Sequence, residues 1–300
     1  MSTILGIHKE ANYLYLVQIK RSLKKISISN YALSSLPTDA NWQQVAHTAK
    51  QMIDEYKLHS QTIVLGLPFN LCFLRQLWFP FNKQDKIRQI IKFELEQSFP
   101  QDIEGTIVDF IKTEPDFSNS HPFLTGIVPK ETISTVLTAF QAQGLDLERI
   151  DLDCSGMEAL ARYSEAKEEN PGLLVHLGWS GTRILFRTNR SINKFREIGI
   201  GLKHILQKTG KLSNTEESTC PENLQLLENL DQNLLSLDQS AASGLTEIIA
   251  RIAREIELTV TEAGQYSDNI ELKSIFLSSQ ASNISYVQDE LHKLLQTPVV

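Results

Sequence analysis

The chain has 300 residues, 41% of them hydrophobic and 22% charged, with 36 acidic against 29 basic side chains and a formal net charge of −7. That length suits two or more packed modules, and no stretch is apolar for the roughly 20 residues of a membrane helix. The acidic balance speaks against a nucleic-acid surface that tracks phosphates. Cys72, Cys154 and Cys220 are too scattered for a Cys-x-x-Cys pair or a disulfide framework, and the seven histidines show no metal-ligand spacing. Cys72 and Cys154 sit in apolar runs and are expected as small core residues. With no basic leader and no small-residue cleavage site at the N-terminus, the expectation is a cytoplasmic protein in a reducing compartment.

Residues 4–7, 13–20 and 26–31 read as the three strands of a meander. The one basic run, Lys20-Arg21-Ser22-Leu23-Lys24-Lys25, lies between the second and third. It reads as a solvated hairpin turn, ahead of contact with an acidic membrane surface or partner. Thr38-Asp39 predicts an N-cap for a helix in which Trp42, Val45, Ala46, Ala49, Met52, Ile53 and Tyr56 recur at helical spacing. Residues 62–67 then form a compact apolar strand closed by Pro68. This β-β-β-α-β order is that of one half of a ribonuclease-H-like fold.

A strand at 73–79 and a helix at 83–98 follow, the helix carrying Ile87, Ile90, Ile91 and Leu95 on its apolar face and stopping at Phe99-Pro100. Strands at 106–112 and 123–128 flank a polar loop. Pro129-Lys130-Glu131 opens a helix with Gly144 at its C-cap, and 145–151 reads as a return strand. Residues 75–150 are therefore expected as an inserted α+β subdomain, and 1–74 with 151–170 as the first subdomain. The polar stretch before Pro171-Gly172 is the expected linker. A second lobe, 171–300, opens with another meander at 173–177, 182–187 and 194–200. It continues through an expected mobile segment at 208–243 and an amphipathic helix built on Leu245, Ile248, Ile249, Ile252, Ala253, Ile256 and Val260. A strand at 275–277, a helix at 284–295 and the start of a strand at Val299-Val300 complete the lobe.

Thr62-Ile63-Val64-Leu65-Gly66-Leu67-Pro68, Leu74-Arg75-Gln76-Leu77 and Phe93-Glu94-Leu95-Glu96-Gln97-Ser98-Phe99-Pro100 come in an order similar to that of the PilM/GspL family of actin-like assembly proteins. Ile127-Val128-Pro129-Lys130-Glu131 and Leu173-Leu174-Val175-His176-Leu177-Gly178 extend the resemblance over nearly the whole chain. The Phe-Glu-x-Glu-Gln-x-x-Pro run is its most specific part. The resemblance implies an α/β, actin-like (ribonuclease-H-like) fold of two lobes, the second reduced. Its inserted α+β subdomain sets the family apart from ordinary actin-like ATPases.

Those ATPases hold nucleotide with two glycine-rich hairpin turns, an acidic residue for the metal-bound water and a glycine-rich adenosine loop. Glycines let backbone N–H groups approach phosphates, and carboxylates organise Mg²⁺. Against that pattern the first turn carries His8 and Ala11 where Asp-x-Gly-Ser is expected. The second has His176 in the acidic position with Trp179 beside it, and the adenosine loop around Gln280 has no glycine. The expectation is a scaffold and not an enzyme, with no catalytic residue, metal or cofactor, and with His8, Ala11, His176 and Gln280 marking degenerate nucleotide loops.

Loss of these motifs favours the L-type component of type II secretion, at the cytoplasmic side of the bacterial inner membrane. It implies partners among the secretion or pilus ATPase and membrane-anchored platform proteins, no nucleic acid, and a membrane anchor beyond residue 300, with a homodimer left open. The alternatives are a PilM-like pilus platform that clasps a short apolar tail of a membrane partner, a working actin-like ATPase or sugar-kinase-like enzyme, and a cytoskeletal adaptor. Partner contact is expected at Leu71, Phe73, Leu74 and Phe93 as apolar anchors and at Glu96 and Asp102 as acidic steering groups. Plain core packing is the other reading of the four apolar residues.

Overall fold

The computed structural model describes residues 2–23, 25–96, 99, 102–113, 120–153, 155–157, 159, 172–188, 191–208, 239–264, 272–279, 281 and 284–300. They fall into two compact units, the first comprising residues 1–112 and 120–156 and the second running in the main from 157 to 300.

In the first unit β1 (Ser2–Glu10), β2 (Tyr13–Arg21) and β3 (Ile26–Ser35) form an antiparallel meander. β4 (Thr62–Leu67) pairs parallel to β1, and β8 (Arg149–Leu152) parallel to β4, giving the order β3-β2-β1-β4-β8. Period-two alternation puts Leu5, Ile7, Leu14, Leu16, Leu65 and Leu67 in one core. α1 (Trp42–Glu55) and α3 (Lys130–Ala142) fill it from one side with Val45, Ala49, Met52, Ile53, Val136, Ala139 and Phe140. The cap of α1 is Asn41 rather than the expected Thr38-Asp39. The Asn41 side chain accepts from Gln44 N–H at 3.0 Å while the Gln44 side chain takes the Asn41 N–H at 3.0 Å, a reciprocal box that Asp39 does not make.

Between β4 and α3 hangs a three-stranded sheet of β5 (Phe73–Phe79), β6 (Thr106–Lys112) and β7 (His121–Pro129), in the order β5-β7-β6. α2 (Gln84–Glu96) covers one face, packing Ile87, Ile91 and Leu95 on Phe79, Phe110, Phe123 and Ile127 as a separate core. Phe123 meets Phe79 and Phe110 edge-on at 5.8 and 5.4 Å. The expected 75–150 boundary is too wide at its C-terminal end. α3 belongs to the core of the first sheet, and β8 closes that sheet through hydrogen bonds to β4.

In the second unit β9 (Gly172–Leu177), β10 (Thr182–Thr188) and β11 (Ser191–Ile198) form another meander, and β12 (Ile275–Ser279) adds parallel to β9. The order β11-β10-β9-β12 repeats β3-β2-β1-β4 strand for strand. α4 (Leu202–Lys208), α5 (Gln239–Gly264) and α6 (Ser285–Leu295) supply Leu202, Ile205, Ile249, Ile252, Ile256 and Leu291 to the core against Leu173, Val175, Ile184 and Phe186. Of the expected mobile segment, 209–238 lie outside the described residues, but 239–243 form the first turns of α5. The chain's last residues bridge to β12, with Val300 N–H on the Ile275 carbonyl at 2.8 Å. Cys72 is buried, as its apolar surroundings predict, and burial pushes its thiol up to about 11. Cys154 and Cys220, like the expected linker at 165–170, lie outside the described residues.

Candidate functional site

In the first unit, β1 and β2 are joined by a tight turn in which Glu10 and Tyr13 are register partners and Ala11 adopts φ 48°. The Asn12 carbonyl accepts the Leu36 N–H at 2.7 Å, which ties the turn to the end of β3. His8 projects on the face opposite Leu5 and Ile7, and its ring lies 6.2 Å from that of Tyr15, its register partner. Its Nε2 is 3.7 Å from the buried Glu10 carboxylate. Burial, reinforced by Glu10, holds the Tyr15 phenol well above its ordinary range. Glu10 and Tyr15 were not among the expected site residues, because a single acid at a strand end carries no spacing signal. Left-handed backbone strains an alanine and not a glycine, so Ala11→Gly is expected to stabilise the protein by about 0.5–1 kcal/mol. A denaturant midpoint that stays put or falls would contradict this.

In the second unit the β9–β10 turn runs Gly178-Trp179-Ser180-Gly181, closed by Gly178 N–H on the Gly181 carbonyl at 3.0 Å. Its outward carbonyls are occupied: Gly178 O accepts from Leu202 N–H at 2.9 Å and Trp179 O from Lys203 N–H at 3.0 Å. α4 thus starts on this turn, and Gly201 is wedged between them. A Cβ there would lie 2.5 Å from Gly178 O and 2.6 Å from both Gly181 N and Trp179 O. His204 completes the junction, its Nδ1 accepting the Gly201 N–H at 3.0 Å. Burial, then the neighbouring Lys203, lowers the His204 pKa, which favours the neutral ring that this bond requires.

His176 is on β9 facing away from Leu173, Val175 and Leu177, in register with Arg183 of β10 and Ser278 of β12. Its Nδ1 is 3.0 Å from the Ser278 hydroxyl. Arg183 in turn pairs with Glu197 of β11 at 3.5 Å. Ser278, His176, Arg183 and Glu197 therefore form one polar row across all four strands. His176, which the family resemblance sets at an acidic position, is here an imidazole bonded to a hydroxyl. An imidazole suits transition metals better than Mg²⁺. Among the described residues no three His, Cys, Asp or Glu side chains gather as a metal site. Gln280 lies outside the described residues.

The expected partner residues separate into two sets. Leu71 and Leu74 are partly buried and pack against the core of the first sheet, so their contribution is to hold the insert to it. Phe73 and Phe93 stay 41% and 64% exposed. Phe73 lies on β5, its ring edge-on to the buried Phe99 at 5.3 Å, which fixes its orientation. Phe93 is on α2 three residues before Glu96, and that spacing places both on one side of the helix. Glu96 and Asp102 are exposed. Asp102 also caps a 3-10 turn, Ile103–Gly105, accepting from Glu104 N–H at 3.0 Å, so reversing its charge removes a cap as well.

A duplicated four-strand order, with an α+β insert between the fourth strand and the helix after it, defines an actin-like fold. No protein-family model matches the sequence, and no curated protein matches it. Among solved structures the chain is similar to the PilM-PilN type IV pilus biogenesis complex, with a TM-score of 0.79 at 16% identity over 99% of this chain and 87% of that one. It is also similar to the cytoplasmic domain of EpsL, an inner membrane component of the type II secretion system of Vibrio cholerae, with a TM-score of 0.51 at 10% identity over 98% and 95%. The ethanolamine utilization protein EutJ from Carboxydothermus hydrogenoformans gives 0.54 at 13% identity over 100% and 84%. At these identities the likeness is one of fold, and this chain has the actin-like fold of PilM/GspL-type proteins.

Proposed function

We propose that this protein is an actin-like scaffold of an inner-membrane assembly platform, of the pilus PilM kind, and that it holds a short apolar segment of a membrane-anchored partner. The observation that carries this reading is the pair of exposed aromatic side chains on the insert, Phe73 and Phe93, borne on a strand and a helix that share a packed core. Aromatic anchors on rigid elements are what peptide capture needs. The fold overlap is 0.79 with the pilus complex and 0.51 with the EpsL domain, which favours the pilus kind over the L-type component. Its place in this reading is the cytoplasmic face of the membrane, which the fold likeness to the cytoplasmic domain of EpsL supports. Recruitment of a motor ATPase through the acidic Glu96 and Asp102 is the second element of the proposal. Nucleotide hydrolysis is not part of the function, because Ala11 and His176 replace the glycine and acid that phosphate and Mg²⁺ require.

Calorimetry with short synthetic apolar peptides taken from the PilN chain of the similar pilus complex tests the reading. Phe93→Asp and Phe73→Ser should each weaken binding by about 30-fold or more with the melting temperature unchanged for the first, and Mg²⁺-ATP should leave the affinity unaltered. Equal binding by wild type and Phe93→Asp, or an ATP dissociation constant of about 10 μM or tighter, roughly −7 kcal/mol, would refute it.

A further inference from the structure

β3 is an edge strand of the first sheet, at the end opposite β8. Its Ala32 is buried in the core under α1 and α3, while Ile26, Ile28, Tyr31 and Leu33 are all exposed, Ile28 and Tyr31 to 69% and 75%. Between Ile28 and Tyr31 the spacing is three, which in regular pleat would put them on opposite faces. A bulge opposite Gln18 and Ile19 absorbs the extra residue, so Ile28 pairs with Ile19 and Tyr31 with Val17 on one face. The result is an unbroken apolar stripe along an edge that folded proteins normally blunt.

The end of this stripe is the β2–β3 hairpin. Ile26 is in register with Arg21, and Leu23 at the tip is fully exposed. Lys20, Arg21, Lys24 and Lys25 lie within six residues, and from Ala11 to Thr38 the sequence has no Asp or Glu. Lys20, Arg21 and Lys25 make no ion pair among the described residues. In a chain of net charge −7 this hairpin is thus a strongly positive segment, and it carries a leucine pointing into solvent close to the exposed Ile26.

We infer that the β2–β3 hairpin and the exposed face of β3 seat directly on an anionic lipid bilayer. Basic side chains are drawn to the negative headgroups, Leu23 and Ile26 enter the boundary of the acyl chains, and Tyr31 lies at headgroup depth. The acidic remainder of the chain is repelled, so the contact also orients the protein. A second copy fits the face less well: an isologous contact would bring the same positive charge to both sides, and neither β2 nor β3 offers an acid to meet it. This surface is separate from the aromatic pair on the insert and goes beyond the peptide-holding role.

Co-sedimentation of the full chain with vesicles of phosphatidylcholine alone, and with about one third phosphatidylglycerol, tests this. Wild type is expected with the anionic vesicles only, and release is expected near 1 M salt, where the screening length is about 3 Å. Arg21→Glu with Lys25→Glu, and separately Leu23→Asp, should each lower partitioning by about tenfold or more. All three positions are exposed on the hairpin, so the fold is not at stake. Equal partitioning to the two vesicle types, none to either, or variants that bind like wild type would overturn the inference. A concentration-dependent dimer in ultracentrifugation that Tyr31→Lys abolishes, with no lipid binding, would assign the face to a second copy instead.

Discussion

Gly201→Ala is expected to destabilise the second unit by about 3 kcal/mol, lowering its melting transition by about 10 °C. The methyl group would lie 2.5 to 2.6 Å from three backbone atoms of the β9–β10 turn, and backbone, unlike a flexible side chain, has no alternative rotamer. Relief requires moving the start of α4 away from the turn. That breaks the bonds from Leu202 N–H to Gly178 O and from Lys203 N–H to Trp179 O and leaves four polar groups to find other partners. Gly199, two residues earlier, is the internal control, since a Cβ there meets nothing within 4 Å. Gly199→Ala should change stability by no more than about 0.5 kcal/mol. Equal effects of the two substitutions, read from denaturant midpoints, would show that the turn does not grip α4 as described.

Phe140→Ala is expected to cost about 3–5 kcal/mol, the range for emptying a buried aromatic site. Phe140 is fully buried on α3 in the core that also holds Leu5, Leu14, Leu65 and Val45. The spatial pattern of the loss is as informative as its size. If α3 is a layer of the first sheet, amides of β1 and β4 should lose hydrogen-exchange protection together with α3. Protection lost first in β5, β6 and β7, with β1 and β4 unaffected, would return α3 to the insert.

The elements themselves were legible wherever a period was complete. The stripe of Val45, Ala49, Met52 and Ile53 predicts α1, and that of Leu245, Ile249, Ile252 and Ile256 predicts the body of α5, because a helix must bury one side. Long-range pairing is different: nothing local in Arg149–Leu152 announces that it joins Thr62–Leu67, so the insert was drawn too wide. The cap of α1 was misplaced for the opposite reason. Thr38-Asp39 and Asn41 are both good capping residues, and only the reciprocal bond with Gln44 decides between them. In the site, His8, Ala11 and His176 were recognisable by position in a pattern. The partners that give them their environment, Glu10, Tyr15, Ser278 and Arg183, come from register across strands. Gly199 and Gly201 look alike in sequence, and only close backbone approach distinguishes the indispensable one.

The repeated strand order has a consequence for the order of events at the ribosome. In the first half the meander ends at Ser35 and its parallel neighbour begins at Thr62; in the second the meander ends at Ile198 and the neighbour begins at Ile275. The second loop is about three times longer, which adds about 1 kcal/mol of closure entropy and, more tellingly, several seconds of synthesis before β9 can meet β12. During that interval β9, rich in leucine and valine, presents an unpaired edge, whereas β1 acquires β4 early. The nascent second half is therefore the part of the chain most in need of a chaperone, although the finished molecule uses the same sheet plan twice.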